Sequence, residues 1–494
     1  MRNSVMVLPL LLLLISCHAM ASQPISFSVA EHTASRILLP VIKNHIPVKA
    51  DVTLSHQGKP VSATFYSRLA WPKTGEVEYV RLLVIEPAQP LDAGQYTITW
   101  QSADAAIRPF WGTLTNTERA GVTMPWLQQV VLLNTLIVDE ADWYRDAMTL
   151  HARYIADDLE MEKDNYPITK ASHWLYDKPQ SFFQMYLLNN DRWALRQAVR
   201  YANFYVANIT EEGFFGLTSR PDVKYIMSRG LTYYFLLYGD DDIRDAVTRQ
   251  YHASLEWDPD YDVGRGFWTE RNQAAVLNTA IAYWELTGSD DAKARIDAII
   301  DATYKMTFRP VNDWPFRSCP QHTLQSHEGK GGDVAVCSPW MMALLADALW
   351  RVTLLTDSPK AEQLLQTFAE FIKEYGLYEG TRRNGEVVTA PHYLRAFAEN
   401  SVTEQNVWTD PQHICEVASM VGKGMLAGSE PVQQKDRLGD TFSLLATLCR
   451  DGLSLVKIKA DSARKSAVRL KPPRRFGWVY STTAELPWMM ERIL

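Results

Sequence analysis

The chain has 494 residues, of which 47% are hydrophobic, 22% are charged and 11% are aromatic. This length exceeds what one ordinary hydrophobic core accommodates and predicts two domains, and the composition excludes a largely disordered chain. The net charge of −7 argues against a nucleic acid as the main partner.

Residues 1–21 have the layout of a secretory signal peptide: Arg2, an apolar run over 5–15, and small residues at 19–21. The expected mature chain is therefore periplasmic or secreted and begins at Ser22. Residues 14–17 also fit a lipoprotein box, so a lipid on Cys17 is an alternative. No later segment is long and apolar enough to predict a membrane span.

Apolar and polar residues alternate through 25–114, as in Tyr96, Ile98 and Trp100, with turn residues at 58–60 and 92–94. This period of two is typical of short antiparallel strands. Because several such strands need two packed sheets, the pattern predicts a β-sandwich domain over 22–115. This segment contains no constellation of catalytic groups.

From about residue 116 the pattern becomes helical, and the predicted chain is mainly α. Six apolar runs each end at a short polar stop and are followed by a more amphipathic helix. The runs lie at roughly 125–138, 178–189, 223–238, 270–287, 339–356 and 411–427. They predict a closed ring of six helical hairpins over 116–456, with the apolar helices inside and 457–494 as a C-terminal extension packed on the ring.

The long connections of this ring run from each outer helix to the next inner helix, where helix N-termini favour anionic groups. Most later histidines lie there: His173, His322, His327 and His392 in the connections, and His413 at the start of the last inner helix. His151 and His252 fall within outer helices. This face is therefore the predicted functional face.

The second connection combines proton-transferring, aromatic and charged groups. His173 and Tyr176 are candidate catalytic residues, and Trp174 and Lys178 are candidate substrate-binding residues. In the alternative interpretation, the aromatic rings pack the loop and Asp177 caps the next helix.

Arg229 lies within the third, otherwise apolar inner helix. A buried cation needs a partner, so Arg229 either belongs to a structural ion pair or receives a substrate carboxylate.

The fourth connection places carboxylates beside aromatic rings, as hydrolysis of a glycosidic bond requires. Glu270 and Arg271 are candidate catalytic residues, and Arg265 and Trp268 are candidate substrate-binding residues. Two alternatives remain for its acidic residues. Asp258, Asp260 and Asp262 alternate as in a Ca²⁺ loop, although the glycine and the closing glutamate come one residue late. Glu270 can also simply follow a Thr269 helix cap.

The fifth connection contributes the candidate substrate-binding residues Trp314 and His327 and the acids Asp313 and Glu328. Its glycines at 329, 331 and 332 suggest a mobile flap or close backbone approach to a ligand.

The sixth connection contributes His392, Tyr393 and Trp408, and His413 follows. A tyrosine and histidines beside arginines suit β-elimination from a uronic acid. Asp410 before Pro411 is interpreted as a helix cap.

Four cysteines remain after the signal segment: Cys319, Cys337, Cys415 and Cys449. In an oxidising compartment they can pair, and the spacing leaves the three possible pairings open. A zinc site formed by Cys319, His322, His327 and Cys337 is the alternative.

In its predicted architecture the chain resembles the (α/α)6 toroid carbohydrate-active enzymes, which include many polysaccharide lyases and several inverting glycoside hydrolases. Three segments, 52–54 (Val-Thr-Leu), 58–61 (Gly-Lys-Pro-Val) and 71–73 (Trp-Pro-Lys), look like the N-terminal domain of exo-acting rhamnogalacturonan lyases and their relatives. This local likeness implies no catalytic residue.

The leading hypothesis is an exported enzyme that cleaves an acidic polysaccharide or oligosaccharide by β-elimination. Tyr176 or Tyr393 would transfer the proton with a histidine, Arg229 and Arg271 would bind the carboxylate, and Trp174, Trp268 and Trp408 would stack on the sugar. The second hypothesis is an inverting glycoside hydrolase that uses two of the loop acids. The third is a non-catalytic glycan-binding or polysaccharide-export protein.

Overall fold

The computed structural model describes residues 23–30, 36–310, 314, 317–329, 331–397, 402–428, 431–461, 469–470 and 472–494. The predicted signal segment with Cys17, and Asp313, lie outside these residues. The strands are β1 (Ile25–Val29), β2 (Arg36–Pro40), β3 (Ala50–His56), β4 (Lys59–Val61), β5 (Ala63–Ala70), β6 (Val80–Pro87), β7 (Gly94–Ser102), β8 (Arg108–Pro109), β9 (Thr117–Arg119), β10 (His322–Thr323), β11 (Ala335–Cys337), β12 (Leu377–Thr381), β13 (Val387–Pro391) and β14 (Arg395–Ala396). The helices are α1 (Met124–Val131), α2 (Asp142–Ile155), α3 (Asp158–Lys163), α4 (Lys178–Asn189), α5 (Arg192–Ala207), α6 (Arg229–Tyr238), α7 (Asp241–Ser254), α8 (Glu270–Thr287), α9 (Asp290–Phe308), α10 (Leu324–Glu328), α11 (Pro339–Leu355), α12 (Pro359–Phe371), α13 (Ile414–Leu426), α14 (Pro431–Asp461), α15 (Arg475–Thr483) and α16 (Leu486–Ile493).

The N-terminal strands form two sheets, in the orders β1-β7-β3-β4 and β8-β5-β6-β2-β9. The first is antiparallel, whereas β8 and β9 join the edges of the second in parallel. Phe27, Leu39 and Ile98, which come from both sheets, belong to one buried apolar cluster. The alternation predicted for β7 places Tyr96 and Ile98 in this cluster.

The helices form two concentric layers. Around the inner layer, α4, α6, α8, α11 and α13 are successive neighbours, and α15 closes the ring between α13 and α4. The outer layer consists of α2, α5, α7, α9, α12 and α14. The inner helices are buried on most faces because their sequences are apolar all round, as in α11.

Three of the polar stops predicted within the hairpins coincide with left-handed helix ends. Asn190, Gly239 and Gly288 have φ values of 52°, 66° and 69°, in the left-handed region that ends a helix. The next residues, Asp191, Asp240 and Ser289, accept backbone N–H groups and begin the outer helices.

The first predicted inner helix, 125–138, is wrong in extent and in place. The helix ends at Val131, and Leu133 has a φ of 68°. At this helix end the carbonyls of Val130 and Val131 accept hydrogen bonds from Arg81 and Arg351 instead of from a following helical turn. Its position in the inner layer is taken by α15, from the predicted C-terminal extension.

The N-terminal sheets pack on the ends of the inner helices where those helices finish. Arg81 of β6 binds Glu285 near the end of α8 at 2.7 Å, and Arg68 of β5 donates to the carbonyl of Gly239 at 2.8 Å. This packing covers one face of the ring and leaves the N-terminal ends of the inner helices on the opposite face. Among the described helices, none is both long and apolar enough for a membrane span.

Two disulfides join Cys319 to Cys337 and Cys415 to Cys449. The first pair excludes the zinc site that was considered with these two cysteines, because disulfide sulfurs are not thiolate ligands.

Candidate functional site

A cavity opens where α4, α6 and α8 begin, on the face that sequence analysis predicted. Its empty space is about 530 Å³, including solvent at its mouth. Tyr176, Arg229, Arg271 and Asp347 are on its wall. A second space of about 370 Å³ shares Arg229 and Asp347 with it and continues toward the ring centre.

Among the cations on the cavity wall, Arg271 is the one whose positive charge is least neutralised by neighbouring side chains. It follows the first residue of α8, and its Nε lacks a hydrogen-bond partner within the described part of the chain. The guanidinium lies beside the hydroxyl of Tyr176 and near Asp222 and Tyr393. Burial raises the pKa of Tyr176, and the positive charge of Arg271 opposes this shift.

Tyr176 adopts a strained backbone conformation. Its φ of 81° is unfavourable for a bulky side chain, and such strain persists only where the surroundings impose it. α15 packs closely against this residue, since a Cβ atom at Gly477 would lie 3.0 Å from the Tyr176 carbonyl oxygen. Trp478 then stacks on the Tyr176 ring at 5.0 Å.

The other cations of the cavity are partly neutralised. Lys224 lies 2.5 Å from Asp222, and Arg229 lies 3.9 Å from Asp347, which also binds Lys423 at 2.5 Å. Arg229 donates to the Asn278 side chain as well. Arg229 is therefore a member of an ion-pair network, as one interpretation of its sequence position expected, and it also lines the cavity. Binding of a substrate carboxylate by Arg229 stays a prediction.

An aromatic group adjoins Tyr176. The His413 ring stacks on Trp340 at 4.9 Å and lies 4.6 Å from Trp478, and Tyr393 lies 5.5 Å from Trp340. His413 Nδ1 is 3.6 Å from a carboxylate oxygen of buried Glu416. Tyr176, Tyr393 and His413, predicted from separate connections, are thus brought together.

Glu270, His322 and His327 form a second buried group next to Arg271. One ligand atom of each lies within 4.8 Å of those of the other two. Burial raises the pKa of Glu270 to about 8 despite a hydrogen bond from the Ser338 backbone. Burial also lowers the pKa of both histidines, and the charge of Arg271 contributes at His327.

His173 and Trp174 are placed in the core rather than on the cavity wall. The His173 ring stacks on Tyr201, and its Nδ1 lies 2.9 Å from the Tyr166 carbonyl. Trp174 is fully buried, stacks on Phe204 and donates to a backbone carbonyl. Asp177 accepts the Gln180 N–H at 2.9 Å, as the helix-cap interpretation predicted.

Lys178 is fully buried and donates to the His173 carbonyl. Burial, followed by the nearby charge of Arg474, lowers its pKa from 10.5 to about 7.

Because the unfolded chain binds the Lys178 proton more tightly than the folded protein does, this group makes stability rise as the pH increases from about 7 to 10.5. We expect the unfolding free energy of the wild type minus that of Lys178→Met to increase over this range. Urea unfolding at neutral pH and near pH 9.5 measures it; an equal difference at both pH values would contradict it.

The acidic residues of the fourth connection lie away from the cavity. Arg265 donates to the carbonyls of Asp258 and Asp260 at 2.5 and 2.6 Å and lies over Trp257 at 4.4 Å, so it holds its own loop. Asp258, Asp260 and Asp262 are exposed and do not form a metal-ligand group among the described residues.

The remaining candidates differ in exposure. Trp268 and Trp314 are buried, whereas Trp408 is 55% exposed and has Arg382 at 5.2 Å from its ring. His392 lies 4.9 Å from Tyr378, and burial lowers its pKa to about 4. The Glu328 side chain lies outside the described part of the structure.

Sequence reasoning missed Trp340, Asp347 and Trp478. Trp478 lies in the segment 457–494, which sequence analysis interpreted as an extension packed on the ring and not as part of the site. The dense run Phe476-Gly477-Trp478-Val479-Tyr480 was the available signal, since such apolar runs are typical of buried segments.

The sequence matches no protein-family model and no curated protein. Comparison with solved structures finds the unsaturated glucuronyl hydrolase of Bacillus sp. GL1, with a TM-score of 0.43 and 12% identity over 63% of this chain and 85% of that chain. A family 76 glycoside hydrolase from a bovine Bacteroides thetaiotaomicron strain has a TM-score of 0.43 and 8% identity over 95% and 99%. A polysaccharide lyase has a TM-score of 0.36 and 10% identity over 87% and 58%.

All three are named as carbohydrate-active enzymes. With TM-scores below 0.5, these similarities assign no activity to this chain.

Proposed function

We propose that this protein is an exported enzyme that cleaves an acidic polysaccharide or oligosaccharide by β-elimination. The observation that carries the proposal is the pairing of Arg271 with Tyr176 on the wall of the open cavity. A cation without full compensation beside a phenol is suited to a substrate that carries a carboxylate next to an acidic C–H bond.

In this mechanism Arg271, helped by Arg229, binds the uronate carboxylate and stabilises negative charge that develops when the adjacent proton leaves. The ionised form of Tyr176, which is the minor form near neutral pH because burial raises its pKa, removes that proton. The electron pair of the C–H bond then forms a C=C bond. The bond to the glycosidic oxygen breaks, and Tyr176 returns the proton to that oxygen. Atoms balance without water.

The neighbouring groups support these roles. Arg271 stabilises the phenolate against the burial that disfavours it. The Trp478 ring stacked on Tyr176 and the edge contact with Trp340 hold Tyr176 in place. His413 adjoins the same aromatic group and can support proton transfer within it.

Hydrolysis is the second candidate, and it is favoured by the two carboxylates of the cavity, Asp177 and Asp347. Burial raises the pKa of Asp177, as suits a general acid. Its two oxygens, however, accept backbone N–H groups of Gln180 and Gly230 at 2.9 Å, which fits a structural role.

The proposal keeps export by the segment 1–21, a β-sandwich domain over 22–115 and a catalytic toroid that begins at 116. The toroid extends beyond the predicted boundary at 456, because α15 of the predicted extension 457–494 completes its inner layer. The two disulfides support export, because disulfides persist in oxidising compartments.

Incubation with a panel of polyuronates, followed by mass spectrometry and ultraviolet absorbance of the products, tests the reaction. Elimination yields an unsaturated uronide at a mass one water below the hydrolysis product. The same polymers after reduction of their carboxylates are the matched control and are expected to remain uncleaved. Saturated products would establish hydrolysis instead, and binding without cleavage would establish a glycan-binding protein.

A further inference from the structure

Three side chains from separate segments converge behind the cavity wall. Glu270 begins α8, His322 lies in β10 and His327 lies in α10. All three are buried, and one ligand atom of each lies within 4.8 Å of the others. Within the described residues this is the one group of three or more such side chains that could hold a metal ion.

Only one of the two carboxylate oxygens of Glu270 accepts a hydrogen bond within the described part of the chain. Its Oε1 accepts the N–H of Ser338 at 2.8 Å, whereas the fully buried Oε2 finds no hydrogen-bond partner in the described part of the chain. An unpaired buried carboxylate oxygen is costly, and metal coordination is one of the ways in which proteins compensate it.

The two imidazoles have the orientation of metal ligands. His322 Nδ1 lies 3.2 Å from the Pro320 carbonyl, and His322 Nε2 lies 2.9 Å from His327 Nδ1. When Nδ1 donates to the carbonyl, Nε2 presents a lone pair, the arrangement common around metal-bound histidine. Ligands at tetrahedral Zn²⁺ stand about 3.3 Å apart, so these nitrogens need to separate by only a few tenths of an ångström.

The surrounding scaffold holds the ligands in place, and a bound ion would replace the hydrogen bond between His322 Nε2 and His327 Nδ1. His322 pairs with Val336 across β10 and β11, and the disulfide between Cys319 and Cys337 ties the same two segments together. Because both cysteines are oxidised, the available donors are two imidazoles and one carboxylate. An oxidising compartment favours a redox-inert ion such as Zn²⁺ over Fe²⁺.

We propose that Glu270, His322 and His327 bind one Zn²⁺ ion, with a fourth coordination position left for water or another ligand. Two nitrogen ligands and one oxygen ligand suit Zn²⁺ and do not suit Ca²⁺ or Mg²⁺, which prefer oxygen alone. This site is distinct from the weak Ca²⁺ candidate at Asp258, Asp260 and Asp262, and it does not depend on the proposed enzymatic reaction.

The test uses the untagged mature chain after treatment with a chelator, titrated with ZnCl₂ and analysed for metal by atomic spectroscopy after dialysis. We expect one equivalent of zinc per chain and a higher Tm with zinc. Glu270→Gln preserves side-chain size, whereas His327→Asn keeps a polar but smaller side chain. Each is expected to lower the affinity by more than the roughly 10- to 100-fold that loss of an outer partner costs. His252→Gln, at an exposed histidine of α7, is the control and retains the equivalent.

Cobalt provides a second readout, because Co²⁺ in such a site gives visible absorption bands that Glu270→Gln and His327→Asn would remove. Circular dichroism and the Tm without metal verify that these variants fold. If Glu270→Gln misfolds, His327→Asn decides, since its ring lies at the edge of the site with 8% exposure. Wild-type zinc content near zero, unchanged affinity in a folded variant, or tighter binding of Ca²⁺ than of Zn²⁺ would each overturn the proposal.

Discussion

Tyr176→Phe is expected to lower kcat for elimination by about 10²- to 10⁴-fold, the usual contribution of a positioned general base. The substitution removes only the hydroxyl, so the stack on Trp478 and the packing against Gly477 remain. KM is expected to change little because Arg271 still binds the carboxylate. Initial rates of product formation across a range of substrate concentrations measure both parameters.

Tyr251→Phe is the matched control, because this buried tyrosine lies on α7 and stacks on Tyr283 away from the cavity. It is expected to keep the wild-type kcat. If Tyr176→Phe retained more than about half of the wild-type rate, the proton would be transferred by another group. Tyr393 and His413 would then be the next residues to replace, since both adjoin Trp340 in the same aromatic group.

Glu285→Gln is expected to lower the free energy of unfolding by about 3–5 kcal/mol. Glu285 binds Arg351 through two oxygens at 2.6 Å and Arg81 at 2.7 Å, and all three side chains are buried. Burial alone would raise the pKa of Glu285, but the charges of Arg351 and Arg81 overcome it and hold the pKa at about 2. The substitution leaves two buried guanidinium groups without their counter-charge.

Urea unfolding followed by circular dichroism measures this loss, with Glu386→Gln as the control. Glu386 binds Arg382 at a comparable 2.9 Å on the surface, and surface pairs contribute about 0–1 kcal/mol. Equal losses in the two variants would contradict the role assigned to burial. Because the folded pKa of Glu285 lies below its ordinary value of 4.5, its stabilisation is present above that pH and is lost as the pH falls to about 2.

Local signals explain why the hairpin ends could be predicted. A left-handed residue such as Gly239 and the cap Asp240 that follows act on their own few backbone groups, so their positions in the sequence suffice. The extent of α1 could not be predicted in this way. Residues 132–138 are mostly apolar, yet the helix ends before them. The carbonyls of its last residues accept hydrogen bonds from Arg81 and Arg351, and both arginines are distant in sequence.

The candidate site likewise has features that local sequence predicts and features that depend on contacts between distant segments. Tyr176 and Arg271 were each predicted from their connections, but their contact depends on the mutual placement of α4 and α8. Composition also could not decide which tryptophans reach the site. Trp174 and Trp268 are fully buried elsewhere, whereas Trp340 and Trp478 flank Tyr176 because α11 and α15 begin beside it.

The place of α15 between α13 and α4 has a consequence for the order in which the molecule is assembled. Residues 475–483 follow every other inner helix in the sequence, so a nascent chain exposes a gap in its inner wall until those residues emerge. The same helix contributes Ser481 and Thr482 to the cavity wall and packs against Tyr176 at Gly477. Closure of the ring and maturation of the cavity are therefore one event, late in biogenesis.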